Sequence, residues 1–301
     1  EATAPVESDP LYAPDAFERL PATPRHGSWR ARVVEKPQSL EEFIARSEAV
    51  HKEGREVLYL QPLADYPKRS ILPGELPALP LVEDGFVTFV FAPAPEDLAE
   101  FISVFYQRPT RVEGELELEQ LAPGPARVRR HHGQFNAHQI LEALEARIPA
   151  DAHSVTALMA RDLYASDDQE YAFGHAIAED RVAVASFTQL DPQFIGQIRK
   201  DDFRQLIRER GYKLVAHEIG HTLGMEHCDE YRCVMNGVAH VGELDEMPLH
   251  LGPHCLRKLM RHVDHDPVRR YEGLAAIYER LGLIDEARWV QQRSSQLQTP
   301  S

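Results

Sequence analysis

Cysteine is scarce in this chain, which has three in 301 residues. So few thiols cannot form the even-numbered disulfide framework that staples small secreted domains. Long apolar runs are absent as well. No stretch approaches the roughly 20 residues that a helix needs to cross a bilayer, which excludes a helical membrane span. Positive charge is in short supply, with 33 Lys and Arg against 48 Asp and Glu for a net charge of −15. Nucleic acid and anionic membrane surfaces are polyanions and would be repelled, so neither is expected as a partner. There is no internal repeat. The length and ordinary apolar fraction allow a sizeable core of the α/β kind, carried by a monomer.

Histidine, by contrast, is plentiful, with 15 residues. The chemistry concentrates in H-E-I-G-H-T-L-G-M-E-H-C-D-E-Y-R-C-V-M, from His217 to Met235. His217 and His221 are spaced to lie one turn apart on one helix face and to close on one metal ion. Glu218 sits about 100° round that helix, within reach of a water on the metal without being a ligand itself. Gly224 permits a sharp exit, because glycine takes positive φ without steric cost, and the chain can then return His227 as a third imidazole. Three imidazoles leave the fourth tetrahedral position of Zn²⁺ open, the layout of a catalytic zinc site. The bland alternative is an amphipathic helix whose histidines are merely solvated, and the added Gly224 and His227 weigh against it. A methionine after this long motif, here Met235, fits the turn that follows it in metalloproteases of the HExxHxxGxxH type.

These residues resemble the archaemetzincins, whose zinc helix runs directly into a cysteine set. Cys228 follows His227, Cys233 stands in C-V-M, and Cys255 lies in L-G-P-H-C-L-R-K-L, similar to the family's C-P-x-C-L-R-K-L. The likeness extends from V-L-Y-L-Q-P-L at Val57 through D-L-Y at Asp162 and F-G-H-A at Phe173. It implies a metzincin-like zincin fold: a twisted mixed sheet with an edge strand above the cleft, an active-site helix and a helical C-terminal part. It also implies a second, structural zinc on four cysteines. This chain has three, Cys228, Cys233 and Cys255, because Gly252 stands where the fourth is expected. His254 or His250 is left to supply an imidazole. Buried free thiols or a Cys228–Cys233 disulfide are the other readings of the cysteines.

The pattern along the chain divides into an extended Pro- and Ala-rich arm over 1–37, a catalytic domain over 38–265, and C-terminal helices over 266–301 packed on it. A capping box at Ser39 and Glu42 opens a helix. Strands are expected at Val57–Leu60, Phe86–Phe91, Thr110–Leu118, Val155–Ala160 and Val182–Phe187, the last alternating enough to be an edge strand, which the resemblance implies would pair a substrate backbone. Loops are expected over Pro67–Pro80 and over the basic run Arg127–His132. Helices are expected at Pro95–Tyr106, from Phe135 or Asn136, and from Asp201 through the zinc motif with an interruption at Gly211.

The expected reaction is peptide hydrolysis by a zinc-bound water, with Glu218 as general base and a peptide or protein as substrate. Tyr164, Tyr231 and His175 are candidates for a second assisting group. Two other readings stay open: a zinc-containing peptide-binding or scaffold protein of the same fold without efficient turnover, and hydrolysis of a non-peptide amide. Reduced thiols favour a cytoplasmic home, while a first residue other than Met leaves periplasmic or secreted locations open.

Overall fold

A computed structural model describes residues 9–51, 53–68, 76–83, 86–129, 132–261 and 266–298, with backbone alone for 81–83 and 86. The chain forms two compact units. One holds Ala49–Glu100 and Arg108–Leu223, and the other holds the described parts of Glu1–Glu48, Phe101–Gln107 and Gly224–Ser301.

The chain enters through two short 3₁₀ turns and helix α1 (Trp29–Arg32), followed by α2 (Leu40–Val50). The expected arm is therefore not uniformly extended, and its residues 1–8 lie outside the described ones. The capping box at the start of α2 is formed as expected: Ser39 N–H donates to Glu42 Oε2 at 2.8 Å and Glu42 N–H to Ser39 Oγ at 3.1 Å.

The sheet unit contains β1 (Val57–Pro62), β2 (Ala78–Glu83) and β3 (Phe86–Phe91), with α3 (Pro95–Phe105) following in the chain. It continues with β4 (Thr110–Val112), β5 (Arg127–Arg129), β6 (His132–Asn136) and α4 (Ala137–Glu145). Then come β7 (Ala152–Met159), β8 (Asp162–Tyr164), β9 (Gly174–Ile177), β10 (Val182–Ser186) and α5 (Phe203–Thr222). The main sheet has the order β4-β1-β7-β10-β9, parallel except for β9, which runs antiparallel to β10. Alternate residues of its central strands face opposite layers. Val155, Ala157, Val182 and Val184 join a core with Ile140 and Leu141 of α4. The residues between them face α5, where Thr222 Oγ1 donates to Ser154 Oγ at 2.9 Å.

Five sequence expectations need correction. The strand at Val182–Phe187 is not the sheet edge. β10 lies inside the sheet and is buried throughout, because its V-A-V-A run is covered on both faces, and β9 is the terminal strand. The loop expected over Pro67–Pro80 ends in strand β2, paired antiparallel with β3. Pro80 is tolerated because that hairpin is a sheet of two strands among the described residues, so Pro80 stands on an edge strand, and residues 69–75 lie outside the described ones. The basic run is likewise ordered as β5 against β6, with Arg130 and His131 outside the described residues, and Arg127 stacks on Tyr164 at 3.7 Å. The strand from Thr110 stops at Val112 rather than Leu118. Gly211 does not interrupt α5. A Cβ there would lie 2.8 Å from Phe187 Cε1, so the missing side chain lets the helix approach the sheet closely.

In the other unit α6 (Val241–Glu246) and α7 (Pro253–Leu259) precede a hairpin of α8 (Pro267–Leu281) and α9 (Ile284–Gln298). Gly282 caps α8 in the left-handed region, at φ 74°. The entering arm is fastened here, since Arg293 donates to the carbonyls of Pro10 and Leu11 at 2.9 Å each and Leu20 N–H to Glu230 O at 2.8 Å. Among the described residues no helix is long and apolar enough to cross a membrane.

Candidate metal centre

Two turns of α5 carry the motif. His217 and His221 point to one place, with their Nε2 atoms 2.9 Å apart and their ring planes at 84°. The helix ends at Thr222, and Gly224 takes φ 91°, the turn its lack of a side chain was expected to allow. Within this unbroken stretch His217, His221 and His227 each offer a ring nitrogen, all within 4.8 Å of one another.

The ring of His227 is oriented by a residue that sequence reasoning missed. Its Nδ1 faces the Glu35 carboxylate at 2.9 and 3.0 Å. That partner fixes the proton on Nδ1 and places the lone pair on Nε2, the tautomer a metal ligand needs. Glu35 is itself held by Trp29 Nε1–H at 2.9 Å, and the Trp29 ring meets His227 edge-on at 5.1 Å. Nothing in the sequence marks Glu35, which lies 192 residues away in the Pro-rich arm.

Glu218 is buried, and that burial pushes its carboxyl up to about 8. A divalent cation at the neighbouring imidazoles acts in the opposite sense and favours the carboxylate. Gly174 of β9 makes room for this side chain, because a Cβ there would overlap the Glu218 carboxyl group. His175 must then face the other way along the strand. Its ring packs against His138 of α4 at 4.7 Å, and burial together with His138 lowers it to about 4. The structure thus turns His175 away from Glu218. Tyr164 lies under the Arg127 guanidinium, and Tyr231 under that of Arg19 at 4.7 Å.

The three sulfurs form a second group. Cys228, Cys233 and Cys255 are buried, with their Sγ atoms within 4.8 Å of one another. Hydrogen bonds from the Cys233 and Cys255 thiols hold Cys228 well below the usual thiol range. Burial pushes Cys233 up, and its bond to Cys228 pushes Cys255 up. The structure does not bring His250 or His254 to them. His250 Nδ1 pairs with Glu286 at 3.0 Å and His254 Nε2 with Glu230 at 2.9 Å. Met235 is fully buried in the turn after Cys233.

Residues 128–261 match the model of Peptidase family M54. Archaemetzincin from Thermococcus kodakarensis is 33% identical over 172 residues, covering 56% of this chain and 89% of that protein. Archaemetzincin-2 of Homo sapiens is 30% identical over 211 residues, 60% of this chain and 55% of that protein. The chain spans about half the length of the mammalian relatives it matches. Among solved structures, archaemetzincin from Methanopyrus kandleri aligns with a TM-score of 0.47 at 22% identity, over 72% of this chain and 99% of that one.

Proposed function

Because this chain belongs to the archaemetzincin family, we propose that it is a zinc-dependent peptidase acting through His217, His221, His227 and Glu218. The observation that carries the reading is the convergence of three imidazole nitrogens beside a buried glutamate. The donor set fits the ion: three neutral nitrogens, one of them backed by the Glu35 carboxylate, suit zinc with an open position. When bound there, zinc supplies Lewis acidity, polarising a scissile carbonyl and bringing the pKa of water towards neutrality.

The chain's own residues do the rest. Glu218 accepts a proton from the attacking water on its carboxylate and delivers it to the departing amine. The space left by Gly174 lets that carboxylate adopt its buried position. Substrate binds as an extended strand along β9, whose inner edge pairs with β10 and whose outer edge carries no strand among the described residues. Main-chain hydrogen bonds supply that grip without regard to side chain, so a peptide rather than an isolated amide is the expected substrate.

The test is peptide hydrolysis with metal content measured on the same sample. Activity is expected to vanish with a chelator and to return on adding Zn²⁺. Hydrolysis that persists in protein shown to be free of metal would refute the proposal.

A further inference from the structure

A structural zinc is four-coordinate and tetrahedral. The sulfur cluster does not meet that demand. Gly252 at the start of α7 faces it, since a Cβ there would lie 3.4 Å from Cys233 Cβ, yet glycine offers no ligand atom. Tyr231 Cβ lies 3.1 Å from the same point, so a side chain placed there would need Tyr231 to give by a few tenths of an ångström. The two imidazoles that could replace a fourth thiolate do not join this group. His254 is bonded to Glu230 on the surface, its side chain 56% exposed. His250 is bonded to Glu286 and stacked flat on Trp289, 3.7 Å between ring centroids. Among the described residues no imidazole or carboxylate joins the three sulfurs within mutual reach of one ion.

What the three residues do offer is a compact, buried and purely sulfur set. Cys233 and Cys255 are 0% and 1% exposed, which leaves little access for a water to complete a tetrahedron. The backbone N–H of Met235 points at Cys233 Sγ at 3.3 Å and would help to offset thiolate charge. Three soft ligands without a fourth suit a soft cation that accepts low coordination, and among common biological metals that description fits Cu(I). We propose that Cys228, Cys233 and Cys255 form a three-coordinate thiolate site for Cu(I), in place of a four-coordinate structural zinc. The proposal is independent of the peptidase reading, because it concerns none of the residues assigned to hydrolysis.

The test uses the full chain, reduced, kept from oxygen and first saturated with zinc. Cu(I) is then supplied directly against a competing Cu(I) chelator, with copper and zinc counted and the copper environment read by X-ray absorption. One copper per chain with three sulfur neighbours and undisturbed zinc content is the expected result. Cys255→Ser should abolish copper retention and leave zinc content unchanged. Gly252→Cys should raise retained zinc from one to two per chain and weaken copper retention. The proposal is overturned if the reduced wild-type protein retains no copper, or if its copper carries nitrogen ligands. A second zinc held in the unmodified chain by three sulfurs and a nitrogen or oxygen also overturns it. Should Cys255→Ser fail to fold, the absorption spectrum of the wild-type protein decides alone.

Discussion

At the scale of single residues, the candidate metal centre depends on side chains that the motif does not contain. Glu35 fixes the tautomer of His227 from the far end of the chain, and Trp29 in turn holds Glu35. Glu35→Ala removes the acceptor for Nδ1–H, and zinc affinity is expected to fall by roughly 10–100-fold, the usual consequence of losing such a partner. Competition with a graded zinc chelator measures this. An unchanged affinity would mean that His227 is oriented by something else. Gly174 acts through an absence, leaving the volume that the Glu218 carboxyl group occupies. The role of Gly174 could not be read from F-G-H-A, because the clash it avoids is with a residue 44 positions further on.

At the scale of elements, α5 was legible and its neighbours less so. Its motif spacing is local, so His217, His221 and the turn at Gly224 follow from helical geometry alone. The V-A-V-A run of β10 was misplaced at the sheet edge, because alternating branched and small residues look half-buried when both faces are in fact covered. β2 was hidden by its proline, and the strand at β5 by its charge, which Gln169, Glu170 and Tyr164 absorb. Gly211 was read as a weakness in α5 and is instead a contact surface. Gly211→Ala gains about 1 kcal/mol of helix propensity but forces a methyl against the buried Phe187 ring, at a cost of roughly 1–3 kcal/mol. Net destabilisation of about 0–2 kcal/mol is expected from urea unfolding. A stabilised variant would show that Phe187 can yield.

For the whole molecule, stability should carry a signature of one buried acid. Asp65 is raised to about 6 by burial, with Arg161 Nε at 3.4 Å offsetting part of that cost. Below the unfolded value of 3.8 the group is protonated in both states and costs nothing. Between there and about 6 the folded state keeps a proton that the unfolded state releases, so stability falls as pH rises; above that range the loss is complete. A shift of this size corresponds to about 2–3 kcal/mol. Asp65→Asn should therefore remove about that much of the fall expected between pH 4 and 6 and leave the part due to buried Glu218, as read by unfolding titrations at a series of pH values. Parallel curves for the two proteins would contradict this. The central claim is that Glu218 acts as the proton carrier beside three zinc-holding histidines. The direct measurement is hydrolysis of a peptide mixture by zinc-loaded wild type and Glu218→Gln, compared at equal zinc content. The account predicts a fall in turnover of roughly 10²–10⁴ with zinc still bound, and near wild-type turnover by the variant would contradict it.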